Sequence, residues 1–330
     1  RVILLKIIEI FVERGAITAL AQANEFLASA KQGYLSQEEL QKIPIKLNTQ
    51  IFQVPNQIDN FTGRESLIKE ITKDIKNKVV LIHGPAGVGK SALAIRLGYL
   101  LRQKFSDGIL WYRLDTSDVM DIFLSIAFAF GMDITHIQDK EIRASFVRSL
   151  LSKKKVLLIF DNVESNSDIR LLLPNAENCP VIITSRNTMV SVPARSFLLE
   201  TFTEYETLRL FKAILGNRYI TKNKSNILQL ADQVGFLPLA LHIFAKELKK
   251  GSVTIAEFIE EIKEDLISLQ ELSYENKNLY LAINFSYELL DIKTKKLFLS
   301  LAVFNGKDFL IEAVSGINEL SIAQTKKFLN

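Results

Sequence analysis

The chain has 330 residues, 48% of them hydrophobic and 24% charged, with a formal net charge of +4. That length fits two or three domains with substantial cores, and a small, dispersed positive charge gives little footing for nucleic-acid binding. A single cysteine, Cys179, excludes an internal disulfide framework or a cysteine metal cluster and points to a reducing compartment, the cytosol, while three scattered histidines (His83, His136 and His242) do not form a metal-ligand pattern.

The most apolar opening stretch, Val2–Val12, carries Lys6 and Glu9 and falls short of the ~20 residues that a membrane-spanning helix needs. No small-residue cleavage region follows it, so it does not read as a signal peptide either. The chain starts at Arg1 and stops at Asn330 within a helical pattern, which leads us to expect a piece of a longer protein.

Residues 1 to about 42 read as helical, with Ile17, Leu20, Ala23, Phe26, Leu27 and Ala30 at three- and four-residue spacing. Ser36-Gln-Glu-Glu39 is a capping-box pattern. Pro44 and Pro55 bracket a stretch without helical periodicity, expected to be a linker. From about Phe61 short apolar runs alternate with amphipathic segments: Val79–His83, Ile109–Leu114, Val156–Phe160, Val181–Thr184 and Ser196–Leu199. This alternation indicates a parallel sheet covered by helices on both faces.

After Glu200 the strand-like runs end. Thr203-Glu-Tyr-Glu206 and Thr254-Ile-Ala-Glu257 are two further capping boxes, and Gly216 closes the helix opened by the first. Ile227–Val234 and Leu239–Leu248 read as helices, with Pro238 tolerated in a first turn. Leu281, Phe285, Leu289, Leu297, Leu301 and Phe304 suggest that another folded unit opens near Asn276. The expected division is a helical N-terminal segment and linker over 1–50, a nucleotide-binding domain over 51–200, a helical domain over 201–270 and a further unit over 271–330.

Gly84-Pro-Ala-Gly-Val-Gly89-Lys90-Ser91 matches the phosphate-loop pattern G-x-x-x-x-G-K-[ST]. Its glycines let backbone N–H groups turn around a β-phosphate, and the helix that follows offers the same phosphate its positive end. Lys90 supplies a cation to the β- and γ-phosphates, and Ser91 supplies an oxygen to Mg²⁺. A match by chance in a chain of this composition has a probability on the order of a percent, and the apolar strand before it and the amphipathic helix after it lower that further. The loop contacts extend over Gly84, Pro85, Ala86, Gly87, Val88, Gly89, Lys90, Ser91 and Ala92.

Asp161 ends an apolar strand, where ligand crevices of open α/β sheets lie, and is expected to hold Mg²⁺, through water. Asn162 stands where a fast ATPase carries a second carboxylate, and it cannot accept a proton; Glu164 is the nearby substitute. Slow turnover is therefore expected. Arg186, at the end of the next strand, can report on the γ-phosphate. No Asn-Lys-x-Asp signature for guanine stands in a suitable place, so the base is read as adenine. Trp111 and Tyr112 read as packing residues, the groups Lys153–Lys155, Lys249–Lys250 and Lys293–Lys296 as solvated helix ends and turns, and His242 as a helix histidine.

Taken in order, these motifs resemble the nucleotide-binding domain of the NB-ARC family of signalling ATPases, shared by plant disease-resistance proteins and apoptotic protease-activating factors. The resemblance rests on Phe61-Thr-Gly-Arg-Glu65, Gly84–Ser91, Leu157–Val163, Thr184-Ser-Arg186 and Gly235-Phe-Leu-Pro-Leu-Ala240, the last with Phe236 inserted and the third with Asn162 where aspartate is commoner. It implies a phosphate-loop NTPase sheet with the sensor strand between the phosphate-loop strand and the Asp161 strand. It also implies a helical domain whose Pro238 packs on the adenine, Arg64 helping to hold the base, and the start of a winged-helix domain from Asn276. The histidine motif that locks ADP in the family, and the sensor repeats that follow it, do not occur in this sequence.

The function implied is an ATP/ADP switch with Mg²⁺ that hydrolyses slowly, opens and self-associates when ATP-bound, and works with effector and sensor domains outside this chain, in defence or cell-death signalling. A transcriptional regulator with attached DNA-binding helices is the second reading, and a housekeeping ATPase or kinase the third.

Overall fold

Apolar runs of four to six residues cannot expose either face to water, so they pair side by side and bury both faces under helices. The computed structural model describes residues 1–14, 16–17, 20–30, 32–33, 35–36, 38–39, 50–75, 79–164, 168–176, 178–187, 192–251, 254–260, 280, 283–284, 287, 290–304 and 309–329. The chain divides into two compact units, Arg1–Glu200 and Thr201–Asn330.

The first unit holds six strands: β1 (Ile51–Phe52), β2 (Val79–His83), β3 (Gly108–Arg113), β4 (Val156–Asp161), β5 (Val181–Ser185) and β6 (Arg195–Leu198). They form one sheet in the order β1-β3-β4-β5-β2-β6, and every neighbouring pair is parallel. The strand ending in Ser185 thus lies between the phosphate-loop strand and the Asp161 strand, as the family resemblance implied. All six residues of β4 are buried, as a central strand requires.

Side chains alternate between the two faces of the sheet. Val80, Ile82, Ile109, Leu157, Ile159 and Ile182 pack on one face with helices α3 (Glu65–Asp74) and α4 (Lys90–Leu101). Leu81, Leu110, Leu158, Phe160 and Ile183 pack on the other with α5 (Val119–Ala129) and α6 (Lys140–Leu151). Asp118 and Asp139 cap α5 and α6 through the N–H groups of Met120 and Ile142. A short helix, α7 (Ile169–Leu172), adds Ile169 and Leu172 to the second core. The N-terminal helices α1 (Val2–Glu13) and α2 (Leu20–Ser29) build a core of their own around Ile8, Val12, Ile17, Ala23 and Leu27.

The stretch read as a linker differs from expectation at its end. Ile51 and Phe52 extend the sheet beside Gly108 and Ile109. Two residues are too few to show a period of two, so no sequence pattern marks them. The close approach needs Gly108: a Cβ there would meet the carbonyl oxygen of Ile51 at 2.5 Å. Residues 40–49 lie outside the described residues. The Ser36 capping box forms, with reciprocal bonds between Ser36 and Glu39.

In the second unit, α8 (Glu204–Leu215) opens on the Thr203 capping box and ends at Gly216. The next helix, α9 (Asn217–Gln233), begins at once and kinks at Asn223, so it is longer than the Ile227–Val234 helix expected. Asn223 turns its amide onto the Tyr219 carbonyl, and residues 217–226 carry too few apolar positions to show their period. The helix α10 (Pro238–Lys250) has Pro238 in its first turn and Gly251 at its end. Phe211, Ile227, Leu230, Leu241, Phe244 and Phe258 form the core. The Thr254 box forms with Glu257, while the rest of that expected helix, from residue 261, lies outside the described residues. Of the apolar residues that marked a further unit, Leu281, Phe285 and Leu289 also lie outside them. Beyond these come α11 (Ile292–Ser300), α12 (Ile311–Ile317) and α13 (Ile322–Leu329), with Leu297 and Val314 buried.

Candidate functional site

The turn between β2 and α4 is the phosphate-loop sequence. Gly84, Gly87 and Gly89 all hold positive φ, and Gly89 sits as the left-handed N-cap of α4. No side chain caps this helix, and no acid lies in its first turn. Its N-terminal amides therefore present positive potential without a built-in anion. Val88 is buried and anchors the loop to the core, whereas Pro85, Ala86, Gly87 and Ala92 are half-buried. The Lys90 ammonium donates to the carbonyls of Gly84 and Pro85, at 2.8 Å each.

Gly84 is fixed by a close approach. The Leu199 N–H donates to the His83 carbonyl at 2.7 Å, and a Cβ on Gly84 would stand 2.4 Å from the Leu199 carbonyl oxygen. The chain leaving β6 thus runs directly against the start of the loop. His83 is nearly buried there, and its pKa lies below the usual histidine value, first because burial penalises the imidazolium and then because Lys90 adds positive charge.

Asp161 ends β4 and is 6% exposed. Its Oδ1 accepts from the Ser91 hydroxyl at 2.8 Å and from the Thr184 hydroxyl. Thr184 in turn accepts the Asn162 N–H at 2.9 Å, and the Val163 N–H donates to the Thr184 carbonyl. Ser185 donates its hydroxyl to the Val163 carbonyl at 2.7 Å. The ends of β4 and β5 are therefore tied together under the loop. Asn162 sits at φ 57°, a left-handed conformation that asparagine tolerates better than most residues.

Arg186 is exposed immediately after β5, in the strand position between β2 and β4. Glu164 is exposed three residues beyond Asp161. Arg64 holds a left-handed N-cap position on α3, and its guanidinium donates to the Glu200 carbonyl at 2.6 Å. Pro238 belongs to the second unit, where it is buried at the start of α10.

Two participants had no role in the sequence reading. Thr184 was part of a motif, but its bond to Asp161 depends on β5 lying beside β4. Asp115, beyond the end of β3, accepts hydrogen bonds from the Arg113 guanidinium at 3.2 and 2.6 Å. A carboxylate two residues past a strand end is a weak signal, and only the pairing of β3 with β4 gives it meaning.

The donor set suits a nucleotide–Mg²⁺ group. Ser91 Oγ and the Asp161 carboxylate are hard oxygen ligands in contact with each other, next to a loop built for phosphate. Mg²⁺ typically takes one or two such protein oxygens and completes its shell with water and phosphate. Among the described residues no cluster of three or more His, Cys, Asp or Glu could form an all-protein metal cage. Among them, too, no helix is long and apolar enough to cross a membrane.

Residues 62–220 match the family model described as "NB-ARC domain". The regulatory protein AfsR of Streptomyces coelicolor is 26% identical over 296 residues, covering 84% of this chain and 30% of that protein. The disease resistance protein RPV1 of Vitis rotundifolia is 27% identical over 292 residues, covering 78% of this chain and 20% of its own length. The chain thus spans under a third of the length of these curated relatives. Among solved structures, a signal transduction ATPase with numerous domains from Pyrococcus horikoshii, which has a tetratricopeptide repeat sensor, shares the fold. Its TM-score is 0.55 at 17% identity, covering 84% of this chain and 40% of that one.

Proposed function

The chain carries an NB-ARC domain over residues 62–220, and from that premise we propose that it is an ATP/ADP-dependent signalling switch that hydrolyses ATP slowly. One observation carries the reading: the Ser91 hydroxyl and the Asp161 carboxylate meet at 2.8 Å beneath an uncapped helix N-terminus.

In this proposal the amides of residues 84–91 and Lys90 bind the β- and γ-phosphates, and Lys90 exchanges its bonds to the Gly84 and Pro85 carbonyls for phosphate oxygens. Ser91 and Asp161 hold Mg²⁺, which supplies charge neutralisation between the phosphates. Arg186 senses the γ-phosphate, and Arg64 and Pro238 contact the adenine. Asn162 in place of a carboxylate keeps turnover slow, since an amide takes no proton. The γ-phosphate must favour one state of the switch by ~5.5 kcal/mol to move it from 1:99 to 99:1, and a charge-assisted contact with Arg186 supplies part of that.

The division into a nucleotide-binding domain over 51–200, a helical domain over 201–270 and a winged-helix domain from 271 belongs to this proposal. So do self-association in the ATP state, a cytoplasmic location, and effector and sensor domains elsewhere in the protein. Similarity to resistance proteins supports a role in defence signalling. Similarity to a protein named as regulatory over 84% of this chain supports a second reading, a transcriptional regulator. Salt-dependent DNA binding by the chain would favour that second reading.

The deciding experiment identifies the nucleotide that copurifies and measures ATP and ADP affinity with and without Mg²⁺. Retained ADP and Mg²⁺-dependent ATP binding support the switch. A protein that binds neither nucleotide refutes it.

A further inference from the structure

Glycine weakens a helix interior, yet Gly98 lies inside the phosphate-loop helix α4 and is buried there. A close approach accounts for it. A Cβ on Gly98 would stand 2.9 and 3.2 Å from the two γ-carbons of Val54, and 3.4 Å from Cδ1 of Ile159 in the central strand β4. Val54 stands two residues past β1, just after Gln53, whose N–H donates to the Ile109 carbonyl at 3.0 Å. It belongs to the strap of residues 53–64 that joins β1 to α3.

The strap runs along α4 toward the phosphate loop. Val54 lies against Gly98, and three residues later Gln57 Oε1 accepts from Arg96, nearer the helix start, at 3.1 Å. An extended chain advances about 3.3 Å per residue and a helix about 1.5 Å, so the strap has the length to reach the start of α4 before Arg64. Phe61 packs on the core that holds Val88 of the loop. The Arg64 guanidinium donates to the Glu200 carbonyl at 2.6 Å, one residue beyond the Leu199 carbonyl that crowds Gly84.

We propose that Gly98 is a positioning residue for the base end of the bound nucleotide: by admitting Val54 against α4, it holds the strap, and Arg64 with it, beside the phosphate loop. This rests on the reading of the chain as an ATP/ADP switch in which Arg64 contacts the adenine. The notch is stiff on both sides. Val54 is β-branched and restricted in rotamer, and Pro55 keeps its backbone extended, so it cannot turn away from an added methyl group. On the helix side, Leu93, Leu97 and Leu101 bury α4 against the sheet. A Cβ at position 98 therefore displaces the strap and leaves the loop amides and Lys90 in place.

The test measures affinity for ATP and for inorganic tripolyphosphate, both with Mg²⁺, by titration calorimetry. The first ligand carries a base and the second only phosphates. Gly98→Ala crowds the notch and should weaken ATP binding by about tenfold, the scale of one lost hydrogen bond, with tripolyphosphate unchanged. Val54→Ala empties the notch and should act the same way from the strap side, and it replaces Gly98→Ala if that variant does not fold. The double variant returns a methyl group to the notch from the helix side and should recover ATP affinity. Without ligand, trypsin should cut after Arg64, the only Lys or Arg between Lys46 and Lys69, faster in each single variant than in the wild type or the double variant.

Equal losses for both ligands, unchanged ATP affinity in both single variants, or a double variant no better than the singles overturns the inference while the phosphate loop stands. A wild type that binds ATP no more tightly than tripolyphosphate also overturns it, because the base then has no site here. A wild type that binds neither ligand sinks the nucleotide reading itself.

Discussion

Ser91 and Asp161 lie 70 positions apart in the sequence, yet the hydroxyl of one donates to the carboxylate of the other at 2.8 Å. The contact exists because α4 starts at the end of β2 and Asp161 ends β4, with β5 between those strands holding Thr184 against the same carboxylate. Removing the carboxylate should abolish the effect of Mg²⁺ on ATP affinity. For Asp161→Ala, titration calorimetry should return the same weak affinity with Mg²⁺ and with EDTA, about tenfold or more below the wild type with Mg²⁺. The variant also strands the buried Thr184 hydroxyl, so a loss of ~1–3 kcal/mol in stability should accompany it.

Lys90 separates binding from folding. Its ammonium donates to the Gly84 and Pro85 carbonyls of the turn, so Lys90→Ala should leave the melting temperature within a few degrees of the wild type. Affinity for ATP should fall by ~100-fold or more, because the cation facing the β- and γ-phosphates is gone. Unchanged affinity would show that the loop does not bind phosphate.

Gly84 and Gly131 both hold positive φ, but they differ in surroundings. A Cβ on Gly84 meets the Leu199 carbonyl oxygen at 2.4 Å, while a Cβ on Gly131 has nothing within 4 Å. Gly131→Ala should cost ~1 kcal/mol from backbone strain, and Gly84→Ala clearly more, since the Leu199 backbone must also move. Paired urea denaturation curves check the ranking, and equal costs would mean that the Leu199 contact is slack.

His83 gives a pH dependence with a definite sign. Its pKa in the fold is lowered, by burial and by Lys90, so the native state binds fewer protons at this site than the unfolded chain does. Its contribution to stability is complete above the unfolded pKa of ~6.5 and declines as pH falls toward the lowered native value. The difference in unfolding free energy between wild type and His83→Gln should therefore shrink on acidification from pH 7.5 to pH 5. A difference that grows instead would reverse the assignment.

In the second unit, Thr203 accepts the Glu206 N–H while the Glu206 carboxylate accepts the Thr203 N–H at 2.9 Å. Thr203→Ala removes one half of that exchange and should destabilise α8 by ~1 kcal/mol. Thermal unfolding followed by circular dichroism reads this as a lower transition for the Thr201–Asn330 unit.

The elements legible in the sequence were those whose cause is local. The strand Val79–His83 was read with its observed limits because four apolar residues and His83 meet a glycine turn. The helix Glu204–Leu215 was legible from both ends, through Thr203 and Gly216. The edge strand at Ile51 was not, because its only signature is a partner 57 positions away at Gly108. The early start of α9 was hidden for a different reason: its first ten residues lack the apolar face that gives a helix its period.

The sequence alone determined the phosphate loop, the apolar strands that frame it and the capped helices, because each depends on residues within a few positions of one another. Tertiary structure decided which strand lies beside which, and with that the meeting of Ser91, Asp161 and Thr184. Those contacts follow from strand order and register, which are fixed by burying both faces of the sheet at once and leave no mark at any single position.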